Sequence, residues 1–155
     1  YKLPTFAFVF AKLTKTKLEY MILGDCVVLV NDKEITDHRV DRLFDLGKNE
    51  IAHSSKEGVQ RKTILQKIRE LANTSNGYWI GSLDESCVEH AIYESTEVTS
   101  NQIVLMSDGF YEFYSQHPEE KFDDLIVMRK QSQEVDPIYG KKDDASILVV
   151  DLLKD

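Results

Sequence analysis

The order of elements along this chain predicts an α+β fold, in which helices pack on mostly antiparallel sheets. Three observations support the prediction. Short β-rich runs separated by two to four polar residues open the chain, a pattern typical of hairpins or a meander. The apolar residues then recur at helical spacing over residues 37–73, and single strands and helices alternate after that segment. This order favours layered antiparallel sheets over a doubly wound parallel sheet.

Three strands are predicted at the start of the chain, over 6–13, 18–23 and 26–30, with a polar turn after each. The first strand carries phenylalanines at alternate positions on one side and Val9 on the other, so both of its faces are apolar. Strands of this kind are normally buried between two layers. We therefore expect the chain to be the C-terminal part of a longer protein. We also expect the missing N-terminal portion, or self-association, to cover this strand.

Two helices are predicted in the segment 37–73, as an insertion between two groups of strands. Asp37 is a suitable cap for the first helix, whose apolar residues share one face and which Gly47 is expected to end. Residues 49–58 lack a period and predict a loop. The second helix is expected from Val59 to Leu71, and Asn73 closes it.

Single elements are predicted past residue 73. An aromatic strand over 77–81 precedes a helix that is capped by Asp84 or Ser86 and runs through Val88, Ala91 and Ile92. A strand ending at Asp108, a helix around 122–128, a polar loop over 131–142 and a strand over 146–152 complete the chain. The aromatic residues at 110–114 are expected to pack a turn after Asp108.

Composition limits the classes of partner and the compartment. The net charge of −8 over 155 residues argues against nucleic acid and anionic membrane as partners, since both favour a basic protein surface. No apolar run approaches the roughly 18–20 residues that a membrane span needs. The two cysteines, Cys26 and Cys87, lie in or beside apolar segments, which predicts buried free thiols and a reducing, cytoplasmic location.

Two acidic turns beside strongly apolar strands are the main functional signal. Asp108 ends one such strand, and Asp143 with Asp144 opens another. Antiparallel pairing of the two strands would place Asp108 and Asp143 side by side at one edge of a sheet. Either turn alone is more typical of a simple surface turn. Together their carboxylates, each beside a small residue that lets a ligand approach, predict a site for a hard divalent cation such as Mg²⁺ or Mn²⁺.

A site of this kind supports metal-assisted hydrolysis. Two divalent ions about 3.5–4 Å apart acidify a water molecule, orient a phosphoryl group and neutralise the charge that develops on it. The sequence has no Gly-x-Ser-x-Gly motif, no Cys-x5-Arg loop and no Walker-type glycine loop. Acidic residues that bind metal ions would allow hydrolysis by a water molecule, so that none of these motifs would be needed.

Three ordered segments resemble motifs of the metal-dependent type-2C (PPM-type) Ser/Thr protein phosphatases, particularly their bacterial-like members. The sequence Leu23-Gly24-Asp25 and the strand after it resemble the Gly-Asp-Ser-Arg segment of that family. Residues 103–110 resemble its Leu-Leu-x-Ser/Thr-Asp-Gly segment, and residues 143–150 its Asp-Asn/Asp-x-Ser/Thr-Val segment. A weaker match covers residues 73–80, where many members of the family carry an Asn followed by Gly-Tyr-Trp-Val. The resemblance spans nearly the whole chain in order.

The resemblance implies an α-β-β-α sandwich of mostly antiparallel sheets that lacks its N-terminal part. Residues 1–155 would be the C-terminal portion of a catalytic domain, with 37–73 as a flap-like insertion. Asp108 and Asp143 would be ligands of a binuclear Mn²⁺ or Mg²⁺ site, Asp25 would help to hold a third ion, and Asp144 would support Asp143. The implied reaction is hydrolysis of phosphoserine and phosphothreonine in a phosphorylated protein substrate, by a metal-activated water and without a phospho-enzyme.

The sequence departs from the family in two respects that bear on activity. It contains no Asp-Gly-x-Gly-Gly loop, which bridges the two ions in the family, and neither the phosphate-binding Arg nor the acid His of the family can be assigned here. In addition, Gly-Asp-Cys-Val replaces Gly-Asp-Ser-Arg. We therefore expect the isolated chain to be almost inactive. Two alternatives stay open, namely a non-catalytic phosphatase-like module for partner binding or metal sensing, and an unrelated α+β domain.

Overall fold

A computed structural model of the chain describes residues 4–52, 57–133 and 144–152. Its strands are β1 (Phe8–Leu13), β2 (Lys17–Leu23), β3 (Val27–Val30), β4 (Lys33–Ile35), β5 (Ile92–Glu97), β6 (Gln102–Met106) and β7 (Ile147–Asp151). Its helices are α1 (Arg39–Ala52), α2 (Glu57–Glu70), a 3₁₀ helix (Glu85–His90), α3 (Asp108–Ser115) and α4 (Phe122–Gln131). The fold is mixed α+β, as predicted. Within the three described ranges, no helix is both long and apolar enough to cross a membrane.

The strands form two antiparallel sheets. The three-stranded sheet has the order β1-β2-β5, and the four-stranded sheet has the order β4-β3-β6-β7. Every pairing in both sheets is antiparallel, which confirms the predicted sheet type. Although β2 and β3 are consecutive, they belong to different sheets. The tight connection at Gly24-Asp25 therefore carries the chain from one sheet to the other.

The two sheets pack face to face through the alternate residues that point inward. Leu18, Tyr20 and Ile22 of β2 lie in one buried cluster with Val28 of β3 and Ile103 of β6. Alternation with period two places these residues on one face of each strand. The space between the sheets is therefore the main core of the molecule.

The opposite face of the four-stranded sheet is covered by helices. Val27, Val104 and Met106 pack against Phe110 of α3 and Leu125 of α4 in a second buried cluster. Each of the central strands β3 and β6 is thus apolar on both faces, because each lies between two layers.

The outward face of the three-stranded sheet carries an apolar row. Strand register places Phe10 of β1 opposite Met21 of β2, and Met21 opposite Tyr93 of β5. Phe10 is 63% exposed and Tyr93 is 70% exposed. The next row on this face is polar, since Lys12 pairs with Glu19 through a 3.3 Å salt bridge.

Helices α1 and α2 pack against each other within the segment predicted to be helical. Val40 of α1 and Ile64 and Ile68 of α2 form a third buried cluster with Tyr78. The prediction that Gly47 ends α1 is wrong, because α1 continues to Ala52. A Cβ atom at Gly47 would lie 2.8 Å from Cγ2 of Ile64. This glycine therefore permits close contact between the two helices and does not terminate the first.

Several other predicted elements need correction. The predicted loop over 49–58 is shortened, since α1 ends at Ala52 and α2 begins at Glu57; residues 53–56 lie outside the described ranges. The predicted turn at 31–34 overlaps β4, a short edge strand on β3.

The predicted strand over 77–81 makes only two isolated bridges, Phe6 with Gly81 and Ala72 with Tyr78. The side chain of Asn73 explains why no longer ladder forms. Its Oδ1 accepts from the N–H of Ile80 at 2.9 Å, which takes the place of a hydrogen bond to a neighbouring strand.

The segment after residue 84 also differs from the prediction. Asp84 is the cap, as predicted, and accepts from the N–H of Ser86 at 3.0 Å. The helix that it starts is of the 3₁₀ type and ends at His90. Ile92–Glu97 then forms β5 on β2, although the sequence predicted that this helix would extend to Ile92. Asp108–Ser115 forms α3, where the sequence predicted only a packed turn.

Candidate metal centre

Three strands of the four-stranded sheet bring acidic residues to one edge. Val27 of β3 pairs with Met106 of β6, and Met106 pairs with Ile147 of β7. This row lies at the start of β3 and β7 and at the end of β6, since antiparallel neighbours alternate in direction. Asp25, Asp108 and Asp144 each lie two or three residues beyond the row. The sheet therefore directs three acidic segments to the same edge.

Asp108 is the first residue of α3. It is exposed, and the helix behind it is anchored by the buried side chains of Phe110 and Phe113. A carboxylate at the N-terminus of a helix interacts favourably with the partial positive charge of the first N–H groups. Burial of the two phenylalanines therefore sets the direction of a helix whose first side chain is available at the sheet edge.

Asp25 is held by the connection between the two sheets. Gly24 has a φ of +87°, which lies in the left-handed region that favours glycine. A Cβ atom there would lie 2.7 Å from the Cβ of Ala7. The backbone thus makes a turn that other residues would strain, and the half-buried Asp25 follows directly after it.

Cys26 lies between the segments that carry Asp25 and Asp108, since Val27 pairs with Met106. Cys26 is a buried free cysteine directly before β3, as predicted for this residue and for Cys87. Burial raises the pKa of the Cys26 thiol to about 12, and the charges of Asp25 and Asp108 add to the effect. Since both carboxylates act on one thiol, the two predicted ligands share one neighbourhood.

Asp144 approaches the same edge through β7. The N–H of Ser107 donates to the carbonyl of Ser146 at 3.0 Å, and the N–H of Ser146 donates to Oγ of Ser107 at 2.9 Å. These bonds continue the β6–β7 contact beyond the last paired strand residues. Asp144 itself is exposed. Asp143, predicted as a principal ligand, lies outside the described residues, so its proximity to Asp108 stays a prediction.

The acidic donor set fits a hard divalent cation. Carboxylate oxygens are the ligands that Mg²⁺ and Mn²⁺ prefer. Among residues 4–52, 57–133 and 144–152, no group of three or more His, Cys, Asp or Glu side chains is already gathered closely enough to hold an ion. Asp25, Asp108 and Asp143 therefore remain predicted ligands.

Sequence reasoning missed a second group of acidic residues beside α3. Tyr111 lies one turn after Asp108, and burial together with a hydrogen bond to Glu34 raises the pKa of its hydroxyl to about 12. The charge of Asp41 on α1 contributes to the same shift. Glu34 reaches this position because β4 places it opposite Leu29, on the face that the helices cover. Residues 31–34 were predicted as a turn, and a turn does not predict which face of a sheet Glu34 lies on.

Asp37 is buried and has a structural role. Its carboxylate accepts from the N–H of Arg39 at 3.0 Å and forms a salt bridge with the guanidinium of the same residue. Burial of a charge requires such a partner. Asp37 lies two residues before Arg39, the first residue of α1, and its oxygens are engaged by Arg39. The residue directly before the helix is His38, whose carbonyl accepts from Arg42, so Asp37 is not the cap that the sequence predicted.

Comparison with known proteins adds no family assignment. No protein-family model matches the chain, and no curated protein shows significant similarity to it.

Proposed function

We propose that this chain carries part of the metal centre of a type-2C-like Ser/Thr protein phosphatase, whose complete fold is an α-β-β-α sandwich. One observation supports the proposal above the others. The ends of β3, β6 and β7 meet at one edge of a sheet, with Asp25 and Asp108 both close enough to act on the Cys26 thiol. The described parts of the three motif segments, 23–30, 103–110 and 144–150, thus lie on or beside neighbouring strands, which supports a shared site.

Each acidic residue has a distinct role in this proposal. Asp108 and Asp143 hold a binuclear Mn²⁺ or Mg²⁺ site, Asp25 helps to hold a third ion, and Asp144 supports Asp143. When bound, the ions acidify water and neutralise charge on the phosphoryl group of a phosphorylated protein substrate. The protein contributes rigidity, because Asp108 starts a helix packed on the sheet and Asp25 follows a turn that needs glycine.

Titration of Mn²⁺ into the full chain tests the metal site. Asp108→Asn and Asp143→Asn should each weaken the Kd more than about tenfold, since even loss of a residue that only supports a ligand typically costs 10–100-fold. Asp84→Asn is the matched control, because Asp84 is an exposed cap whose amide replacement keeps an oxygen acceptor. Equal weakening in all three variants would mean that the titration measures overall negative charge and not a site.

An assay on a phosphopeptide with Mn²⁺ tests the activity. We expect the isolated chain to turn over almost no substrate, because its sequence contains no Asp-Gly-x-Gly-Gly segment to bridge the ions. Robust turnover by the chain alone would contradict this account of the missing ligand.

The absence of that segment also favours a second candidate, a non-catalytic phosphatase-like module that binds a partner or senses a metal. A reading frame that encodes Asp-Gly-x-Gly-Gly upstream of Tyr1 would favour the enzyme, and one without it would favour the module. If Mn²⁺ does not bind saturably even at millimolar concentration, an upper range for weak protein sites, the enzyme and the metal-sensing module both fail. That result would favour an unrelated α+β domain whose acidic turns are only turns.

A further inference from the structure

Ser107 occupies the point where strand β6 ends and helix α3 begins. It is the N-cap residue of α3, with φ −77° and ψ 162°. A serine in this position ordinarily uses its side-chain oxygen to accept from an N–H in the first turn of the helix. Here its side chain makes no such bond. The hydroxyl accepts from the N–H of Ser146 at 2.9 Å instead.

The backbone explains why a side chain is needed for this contact. In a hydrogen-bonded antiparallel pair, each residue both donates its N–H and offers its carbonyl to the residue opposite. Ser107 donates to the carbonyl of Ser146 at 3.0 Å. Its own carbonyl, however, accepts from Phe110 at 3.1 Å and from Tyr111 at 3.0 Å inside the helix. The hydroxyl therefore takes the place of the carbonyl that the helix has engaged.

This contact fixes the position of residues 144–146, the described part of the acidic turn. The strand ladder of β6 and β7 ends at the pair Met106–Ile147. The two bonds between Ser107 and Ser146 add one more pair, which places the chain just before Ser146 next to Asp108. Asp144 and Asp143 precede Ser146 by two and three residues. Without the hydroxyl, one bond of that pair would be lost and the turn would be held by the other alone.

We propose that Ser107 is a positioning residue, whose hydroxyl holds residues 144–146 of the acidic turn against Asp108. The proposal rests on the proposed metal site for its functional meaning, but the contact itself forms without metal. The position requires an acceptor one bond beyond Cβ, which Ser and Thr provide and Ala does not. Ser107 touches neither ion nor substrate in this account and acts through the turn.

Three variants of the full chain test the proposal. Ser107→Ala removes the acceptor, and Ser107→Thr retains it. Ser100→Ala is the matched control, because Ser100 precedes the other end of β6 and its hydroxyl likewise accepts from a backbone N–H, that of Asn31 at 3.2 Å. Three quantities are measured for each, namely the Kd for Mn²⁺, the hydrogen-exchange rate of the Ser146 amide by NMR without metal, and the melting temperature.

We expect Ser107→Ala to weaken the Kd for Mn²⁺ about tenfold or more and to accelerate exchange at the Ser146 amide. Ser107→Thr should restore both values. Ser100→Ala should lower the melting temperature while leaving the Kd and the Ser146 exchange unchanged, which separates positioning from general stability. If Ser107→Ala does not fold, Ser146→Pro removes the donor N–H just before β7, a position where proline is tolerated, and should weaken the Kd similarly.

Two results would overturn the proposal. One is unchanged exchange at the Ser146 amide in Ser107→Ala, and the other is faster exchange with an unchanged Kd. If the wild-type chain binds no Mn²⁺, the proposed metal site fails separately, and the exchange rate at Ser146 alone decides whether Ser107 holds the turn.

Discussion

The two sheets of this protein differ in what lies against their second face. The four-stranded sheet packs on the other sheet through one face and on α3 and α4 through the other. The three-stranded sheet packs inward in the same way, but its outward row includes Phe10 and Tyr93, both largely exposed. Both sheets are antiparallel. They differ in their covering layers, and the strands differ accordingly, since β3 and β6 are apolar on both faces whereas β5 has the sequence Ile-Tyr-Glu-Ser-Thr-Glu.

The comparison explains where a precise site can form. Asp25, Asp108 and Asp144 are all attached to strands of the four-stranded sheet, where buried clusters on both faces restrict movement. Residues that bind a metal must be held closely by their supporting structure. The three-stranded sheet contributes the Gly24 connection and an apolar surface. The proposed metal site therefore lies on the sheet that is packed on both faces.

Truncation of Leu125 should show the largest effect. Leu125 on α4 is fully buried against the four-stranded sheet, and Leu125→Ala should cost about 2–5 kcal/mol in the free energy of unfolding because it leaves a cavity. Phe10→Ala, on the outward face of the other sheet, should cost about 0.5 kcal/mol or less. Urea unfolding of both variants measures the difference. Similar losses would show that the outward face is as well covered as the helix-covered one.

Asn31 joins the ends of the two sheets, and its loss should rank next. Its side chain accepts from the N–H groups of Thr99 at 2.7 Å and Ser100 at 3.0 Å and donates to the carbonyl of Glu97 at 2.6 Å. Asn31 and Asp32 both have positive φ values, 54° and 58°. Asp32→Ala should cost about 1 kcal/mol through backbone strain alone. Asn31→Ala should cost about 3 kcal/mol, because the hydrogen bonds are lost as well.

Thermal or urea unfolding of Asn31→Ala and Asp32→Ala separates these two contributions. Equal stability of the two variants would mean that the side-chain bonds of Asn31 add nothing, and that the sheets are held together by apolar packing alone.

A pH dependence should arise in both layers of the core. Burial and a 2.9 Å hydrogen bond to Glu94 raise the pKa of Tyr20, between the sheets, to about 12. An unfolded tyrosine loses its proton near pH 10. The unfolded state therefore binds fewer protons between pH 10 and pH 12, and stability falls as pH rises through that range. Tyr111, in the helix layer, should contribute in the same direction, since its pKa is also raised to about 12.

The free energy of unfolding at pH 8, 10 and 11 checks this prediction. Tyr20→Phe and Tyr111→Phe should each lose less stability than the wild-type chain between pH 10 and 11. A decline in either variant as steep as that of the wild type would show that the corresponding hydroxyl is accessible to solvent in the folded state.

Substitution of Phe10 should have the smallest effect on stability, but it should clearly change the binding of a dye to the surface. Exposed apolar patches bind the dye ANS, so the wild-type chain should enhance its fluorescence and Phe10→Asp should reduce the enhancement. Val127→Asp is the control, since Val127 is 53% exposed on α4, outside the outward row. Equal reduction by both variants would mean that the row is not a distinct surface. The prediction that another chain covers this strand stays a prediction, which sedimentation velocity of the same variants tests.

The sequence by itself determined the elements whose pattern is local. Short apolar or alternating runs predict β1, β2, β3, β6 and β7 to within two residues, and the helical period predicts α1, α2 and α4. It also placed Asp25 and Asp108 at strand ends, which the structure confirms. Such elements are predictable because the residues that face one layer recur at a fixed spacing along a single segment.

Only the tertiary structure decided the rest. Glu94 and Thr96 lie where a strand with one buried face would carry apolar residues, so the sequence does not predict β5. That strand forms because β2 provides an antiparallel partner. The sequence Asp-Gly-Phe-Tyr does not favour a helix, and α3 forms because Phe110 and Phe113 become buried on the sheet. Assignment of β2 and β3 to different sheets likewise depends on contacts between distant segments. Pairing and burial are long-range interactions, so they override local preference and carry no local signal that a single sequence displays.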